Sequence, residues 1–209
     1  SFGVSSQFNQ PIEKDTFSLL EEITFGENFN SKIEPDAMPK VKKITFPNYS
    51  QFNKPIEEGT FPELEEITFG EEFNSKINPR SMTNVKKIVF VKDSEFNKPI
   101  EKDTFELLEE ITFGKDFNSQ IQPDAMPNVK KITFAANSKF NQSIEEGTFP
   151  ALEEITFGNY FNNQFKQHTL QKIKKITFIG QSQFNKPILE GTFPELEEIT
   201  FGEEFNSKI

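Results

Sequence analysis

The dipeptide Phe-Asn recurs at residues 8, 29, 52, 73, 96, 117, 140, 161, 184 and 205, at separations that alternate strictly between 21 and 23. A period of this size marks a solenoid: one unit cannot bury its own apolar face, so successive units stack and share a continuous core. Two coils form a 44-residue super-repeat, and Gln7–Ser50, Gln51–Ser94, Glu95–Ser138 and Lys139–Ser182 align without a gap. All 26 phenylalanines fall on the grid. One column runs from Phe2 through Phe25 and Phe46 to Phe201, and a second comprises the ten Phe of the Phe-Asn pairs. A third interleaves Phe17, Phe61, Phe105, Phe149 and Phe193 with Met38, Met82, Met126 and Leu170; Phe165 stands where other coils put Ile. Residues of one kind at a fixed phase predict rungs, each ring lying on its equivalents above and below.

The segment L-x-x-I-x-F, as in Leu20–Phe25, alternates with period two over its last residues and reads as a short strand. One strand per coil gives a parallel sheet with neighbours about 4.8 Å apart. The remainder of each coil, such as FNKPIEEGTFPEL at 52–64, carries Pro and Gly and has no helical period. Turns are expected there, with at most a 3₁₀ turn and no regular α-helix. Leu64, Ile67, Phe69, Phe73, Ile77 and Met82 exemplify the six apolar side chains per coil that fill the interior. Residues 1–209 are therefore read as a single array of nine to ten coils. Phe2–Phe8 aligns with Phe46–Phe52, and Ile209 falls mid-coil, so the expectation is a piece of a longer array without its caps.

The strands invert their charge from coil to coil. Glu22, Glu66, Glu110, Glu154 and Glu198 alternate with Lys43, Lys87, Lys131 and Lys175 at one position. Without alternation, like charges would sit about 5 Å apart on neighbouring strands, which is destabilising. The alternation places an ammonium on either side of each interior carboxylate and penalises a slip of one coil. The sharper reading is a striped face that docks a complementary stripe, including that of a second copy. Thr24, Thr45 and Thr68 belong to an outward row broken by Val89. Such a row suits β-structure, and the charges flanking it argue against an ice-binding role. The Asn column from Asn9 to Asn206 is expected to form a ladder that closes buried backbone groups of adjacent coils. The two extra residues of each long coil lie between the strand Phe and the Phe-Asn pair. These loops vary, with Asn48 and Tyr49, Lys92 and Asp93, Ala136 and Asn137, and Gly180 and Gln181 at their tips. They are expected to protrude along one edge, where partners of solenoids often bind. The strand face and this loop edge are the candidate partner-binding surfaces. The coil 158–170 departs from the pattern and carries the only histidine, His168, at the turn position of Asp36 and Asp124.

The motifs L-x-x-I-x-F and Phe52-Asn53-Lys54-Pro55-Ile56, with Phe184-Asn185-Lys186-Pro187-Ile188, resemble the leucine-rich repeat in its short FNIP form. Alternate coils read FNSKI or FNSQI and lack the Pro. The resemblance spans the chain. It implies a leucine-rich-repeat-like solenoid of the kind found in amoebae and in giant DNA viruses of protists, sometimes joined to an F-box. It also implies a protein-interaction module whose partner is a host protein or a second copy. The alternatives are a structural or self-assembling array, as a dimer or an end-to-end stack, and the substrate-recognition part of an F-box ubiquitin ligase adaptor.

Composition narrows the rest. There is no cysteine, so disulfides, thiolate metal sites and cysteine nucleophiles are excluded. The net charge of −10 argues against nucleic acid, which calls for a basic patch. No apolar run approaches the roughly 20 residues of a membrane span, and no targeting signal is visible; the expected location is the cytoplasm, that of the host cell if the protein is viral. The sequons at Asn48 and Asn141 are read as chance. A Ser-His-Asp triad would rest on His168 alone, the ten glycines form no phosphate loop, and near-identical coils offer no asymmetric constellation of carboxylates. No catalytic residue, metal, cofactor or small-molecule substrate is expected.

Overall fold

The computed structural model describes residues 1–209 and contains no helix. Nine short strands pair in sequence order in one parallel sheet: β1 (Glu22–Thr24), β2 (Lys43–Thr45), β3 (Glu66–Phe69), β4 (Lys87–Phe90), β5 (Glu110–Phe113), β6 (Lys131–Phe134), β7 (Glu154–Phe157), β8 (Lys175–Phe178) and β9 (Glu198–Thr200). The register joins Ile to Ile, Phe to Phe and Glu to Lys between neighbours. Turns complete each coil, and no helix is long and apolar enough to cross a membrane.

The core is a single cluster of buried side chains running the length of the stack, and the six apolar positions exemplified by Leu64, Ile67, Phe69, Phe73, Ile77 and Met82 are all buried. The phenylalanines form a double rank. Within a coil the strand Phe stacks on the Phe of the Phe-Asn pair at short range, as for Phe113 and Phe117 with ring centroids 4.0 Å apart. Between coils each rank continues at wider spacing, 5.3 Å from Phe113 to Phe134 and 5.9 Å from Phe96 to Phe117. Near-parallel rings follow from the geometry: equivalent residues of parallel strands are offset by one strand spacing, which suits offset stacking. Phe165 departs from this, meeting Phe193 edge-on at 5.0 Å and 73°.

The alternation of coil length has a packing cause. In each long coil a serine (Ser50, Ser94, Ser138, Ser182) is fully buried and accepts the backbone N–H of the following Phe through Oγ. The strand of the next, short coil ends in a glycine against that serine. A Cβ on Gly114 would lie 2.7 Å from Ser94 Cβ and 2.5 Å from the Val91 carbonyl oxygen. Long and short coils therefore interlock, and a side chain at this glycine position would force them apart.

Candidate interaction surfaces

The sheet face presents two alternating charge columns, and the lysines of each Lys-Lys pair turn in opposite directions. In the strand column, Lys43 bridges forward to Glu66 at 3.0 Å, Lys87 to Glu110 at 3.2 Å, Lys131 to Glu154 at 3.1 Å and Lys175 to Glu198 at 2.8 Å. In the adjoining column, Lys42 bridges back to Glu21 at 3.8 Å, Lys86 to Glu65 at 3.2 Å, Lys130 to Glu109 at 3.3 Å and Lys174 to Glu153 at 2.8 Å. The two sets are out of phase, so each of the eight junctions between adjacent strands is clipped once. The expectation of a carboxylate flanked by two ammonium partners is refined here: an ammonium engages one neighbour, and the second column serves the other side. Hydrogen bonding to Glu66 raises the Lys43 pKa and hydrogen bonding to Glu198 raises that of Lys175. The Lys174 ammonium holds the Glu153 carboxyl below its ordinary range. Glu22 on β1 has no such partner. Thr24, Thr45 and Thr68 lie half-exposed beside these columns.

The loop edge carries the other expected residues. Asn48, Tyr49, Lys92, Asp93, Ala136, Asn137, Gly180 and Gln181 are all exposed and stand on the same side of the stack. The charge along this edge is uneven. Glu71, Glu72, Lys92, Asp93, Lys115 and Asp116 crowd the loops after β3, β4 and β5. The tips of the next three loops, Ala135–Asn137, Gly158–Tyr160 and Ile179–Gln181, contain no charged residue, and the one cation beside them, Lys139, pairs with Asp116 at 2.6 Å. The two tyrosines of the chain both project here, Tyr49 being 68% exposed and Tyr160 47%. Tyr160 sits at a short-coil tip and is not singled out by loop length; the rarity of tyrosine is the signal that marks it.

The opposite edge is a column of left-handed residues. Asp15, Asp36, Gly59, Arg80, Asp103, Asp124, Gly147, His168 and Gly191 occupy equivalent turn positions with φ between 59° and 76°. His168 therefore occupies the turn position expected for it. Arg80, the chain's one arginine, lines a shallow polar groove with Glu57, Glu58, Asn78, Lys102 and Asp103. The ridge also shows a longer period of 88: Lys14 pairs with Asp36 and Lys102 with Asp124 at the same relative positions. The intervening coils carry Glu58 with Arg80 and Glu146 with His168.

The Asn ladder forms, but on a solvent-facing side of the stack and not in the interior. Each Asn Oδ1 accepts the backbone N–H of the Asn one coil on, as in Asn74 to Asn53 at 2.9 Å and Asn97 to Asn74 at 3.0 Å. Adjacent coils come close here, and the Ile three residues after the Asn pairs as an isolated parallel bridge in three places, Ile56 with Ile77 for example. No cluster of three or more His, Asp or Glu is arranged to hold a metal ion.

The FNIP Repeat family profile matches residues 8–49, 96–136 and 140–181. Among solved structures, the chain is similar to the giant-virus protein CroV588, described as a novel circular LRR protein, with a TM-score of 0.72 and 29% identity. The similarity covers 96% of this chain and 33% of the other, so the chain spans about a third of that protein's length. No curated protein matches it.

Proposed function

This chain belongs to the FNIP repeat family, and from that premise we propose that it is a non-enzymatic scaffold that binds a protein partner along its loop edge. The observation that carries the reading is the run of uncharged loop tips formed by Ala135–Asn137, Gly158–Tyr160 and Ile179–Gln181, with Tyr160 projecting from its centre and the neighbouring Lys139 already engaged by Asp116. Interface cores are depleted of charge and enriched in tyrosine, and a rigid ladder beneath the tips holds them in place with little entropy left to lose on binding. The sheet face fits this role less well. Its ammonium groups are already engaged by carboxylates of the neighbouring strands, so a partner would have to break pairs in order to make them.

The test replaces Tyr49 and Tyr160 with Asn, a residue the array itself uses at equivalent tips (Asn137 and Asn28). Proteins captured from the expressing cell's lysate should be lost with Tyr49→Asn/Tyr160→Asn and retained when Lys87 and Lys131 are changed to Gln. Capture of the same proteins by the tyrosine variant refutes the loop-edge reading. The likeness to part of a circular protein favours a second reading, in which the array is an arc of a closed assembly. Sedimentation over a range of concentration and salt distinguishes the two, because an assembling arc gains mass with concentration even without a partner.

A further inference from the structure

The side of the coil bearing the Asn ladder has a composition unlike the rest of the molecule. Each coil contributes the ladder Asn and the two residues after it, thirty positions in all, and none is acidic in a chain with 33 Asp and Glu. Six are lysine: Lys32, Lys54, Lys76, Lys98, Lys186 and Lys208. The first four occupy four successive coils. Lys32 pairs with Glu34 and Lys76 with Glu101, whereas Lys54 and Lys98 engage no carboxylate. The fold does not demand lysine at these places, because Gln142 occupies the position of Lys54 and Lys98 and donates to Asn118.

The hydrogen-bond polarity of this face is fixed by the ladder. A backbone N–H can only donate, so the Asn atom that receives it must be Oδ1. In the short coils the following serine donates to the same oxygen and to the Asn carbonyl, as Ser75 Oγ does to Asn53 at 2.8 and 2.9 Å. Oδ1 of Asn53 and of Asn97 thus takes two donors within the stack, and Oδ1 of Asn30 and of Asn74 takes one. The Nδ2 groups of Asn30, Asn53, Asn74 and Asn97 have no partner in the chain and lie at its surface. What faces solvent is a row of amide donors at about one per 4.8 Å, bordered by ammonium groups.

Resting on the scaffold reading but on a different surface, we infer that this face binds an extended acidic peptide segment. It lies across Lys32, Lys54, Lys76 and Lys98, with its main-chain carbonyls accepting from the Asn Nδ2 groups and its carboxylates meeting Lys54 and Lys98. Four coils span about 14 Å, which an extended chain covers with about four to five residues. The rims of the face oppose a denser polyanion. Glu34, Glu57 and Glu101 line one side and Glu72 and Glu95 the other, so a phosphate polymer would meet like charge along both margins, whereas a peptide with alternate carboxylates fits between them.

Fluorescence anisotropy of a labelled peptide of alternating Glu and Ser, titrated with the protein at low salt, tests this. Binding should weaken about three- to tenfold in Lys54→Gln/Lys98→Gln, the scale of two exposed ion pairs, and should fade as salt rises. Asn53→Asp keeps the ladder acceptor but removes the outward donor and adds a like charge, so it should weaken binding as well. Lys172→Gln, remote from this face and beside Glu153, and Tyr49→Asn/Tyr160→Asn should bind the peptide as the parent does. The inference is overturned if the acidic peptide fails to bind, if a Lys-Ser peptide binds equally, if Lys172→Gln matches the double variant, or if oligothymidylate binds more tightly than the peptide. Failure here with partner capture still lost in the tyrosine variant removes this site alone; persistent peptide binding with unaltered capture removes the loop-edge reading alone.

Discussion

Replacing Arg80 and His168 with glycine should stabilise the array, although each removes a whole side chain. Both sit in the left-handed region, at φ 60° and 67°, in a column where the other residues are Gly or Asp. A side chain in that conformation costs about 1–2 kcal/mol, and glycine's extra freedom in the unfolded chain returns about 0.5–1 kcal/mol of it. The net expectation is about 0.5–1 kcal/mol per site, and a chain of this size gains about 2–4 °C in melting temperature per kcal/mol. The sites are four coils apart, about 19 Å along the stack, so the gains should add. Gly147→Ala provides the reverse measurement. Its φ is 76°, and a Cβ there would meet nothing within 4 Å, so any loss is backbone strain alone; melting should fall by a similar amount. Gly114→Ala separates strain from crowding, since its Cβ would collide with the Val91 carbonyl, and its loss should be larger. Thermal denaturation by circular dichroism reads all four. Unchanged melting in Gly147→Ala, or lower melting in Arg80→Gly, would refute the strain argument. Arg80→Asn, with a residue that tolerates this region, should fall between Arg and Gly.

The stacked ranks predict that Phe113→Ala, which opens a gap beneath Phe90, Phe117 and Phe134, costs about 3–5 kcal/mol; chemical denaturation checks this. The sheet-face ion pairs predict a plateau of stability against pH. The Glu153 carboxyl is depressed by its hydrogen bond to Lys174, so its contribution is complete above the unfolded value near 4.5 and is lost as pH falls through the lower folded value. Lys43, Lys174 and Lys175 are raised, so theirs is complete below 10.5 and is lost as pH rises through the higher folded values. Urea midpoints should therefore be flat between these limits and decline on both sides. Lys131→Glu places Glu against Glu110 and Glu154, and should lower the melting temperature more at low ionic strength than near molar salt; equal effects at both would mean that packing, not charge, is responsible.

The sequence alone determined the solenoid, its strands, its parallel order and its core. Twenty-six Phe and one L-x-x-I-x-F segment per coil admit a single register, because a slip of one residue would turn every core residue outward. Glu21-Glu22 against Lys42-Lys43 likewise foretells strands of opposite charge. Only the tertiary structure decided the side-chain geometry between coils. That Lys43 reaches forward and Lys42 back depends on which way each side chain leaves the strand, and sequence distance does not encode this. Gly114 and Ser94 look like ordinary turn residues until stacking places them in contact, and the length alternation of 21 and 23 then acquires its cause. The Asn column shows the same division. Its period is written in the chain, but only the stacked coils reveal that Oδ1 accepts within the ladder while Nδ2 is left without a partner in the chain. Periodicity fixes which residues become neighbours; the close approach of coils, with donors and acceptors saturated one against another, fixes what those neighbours leave available to a partner.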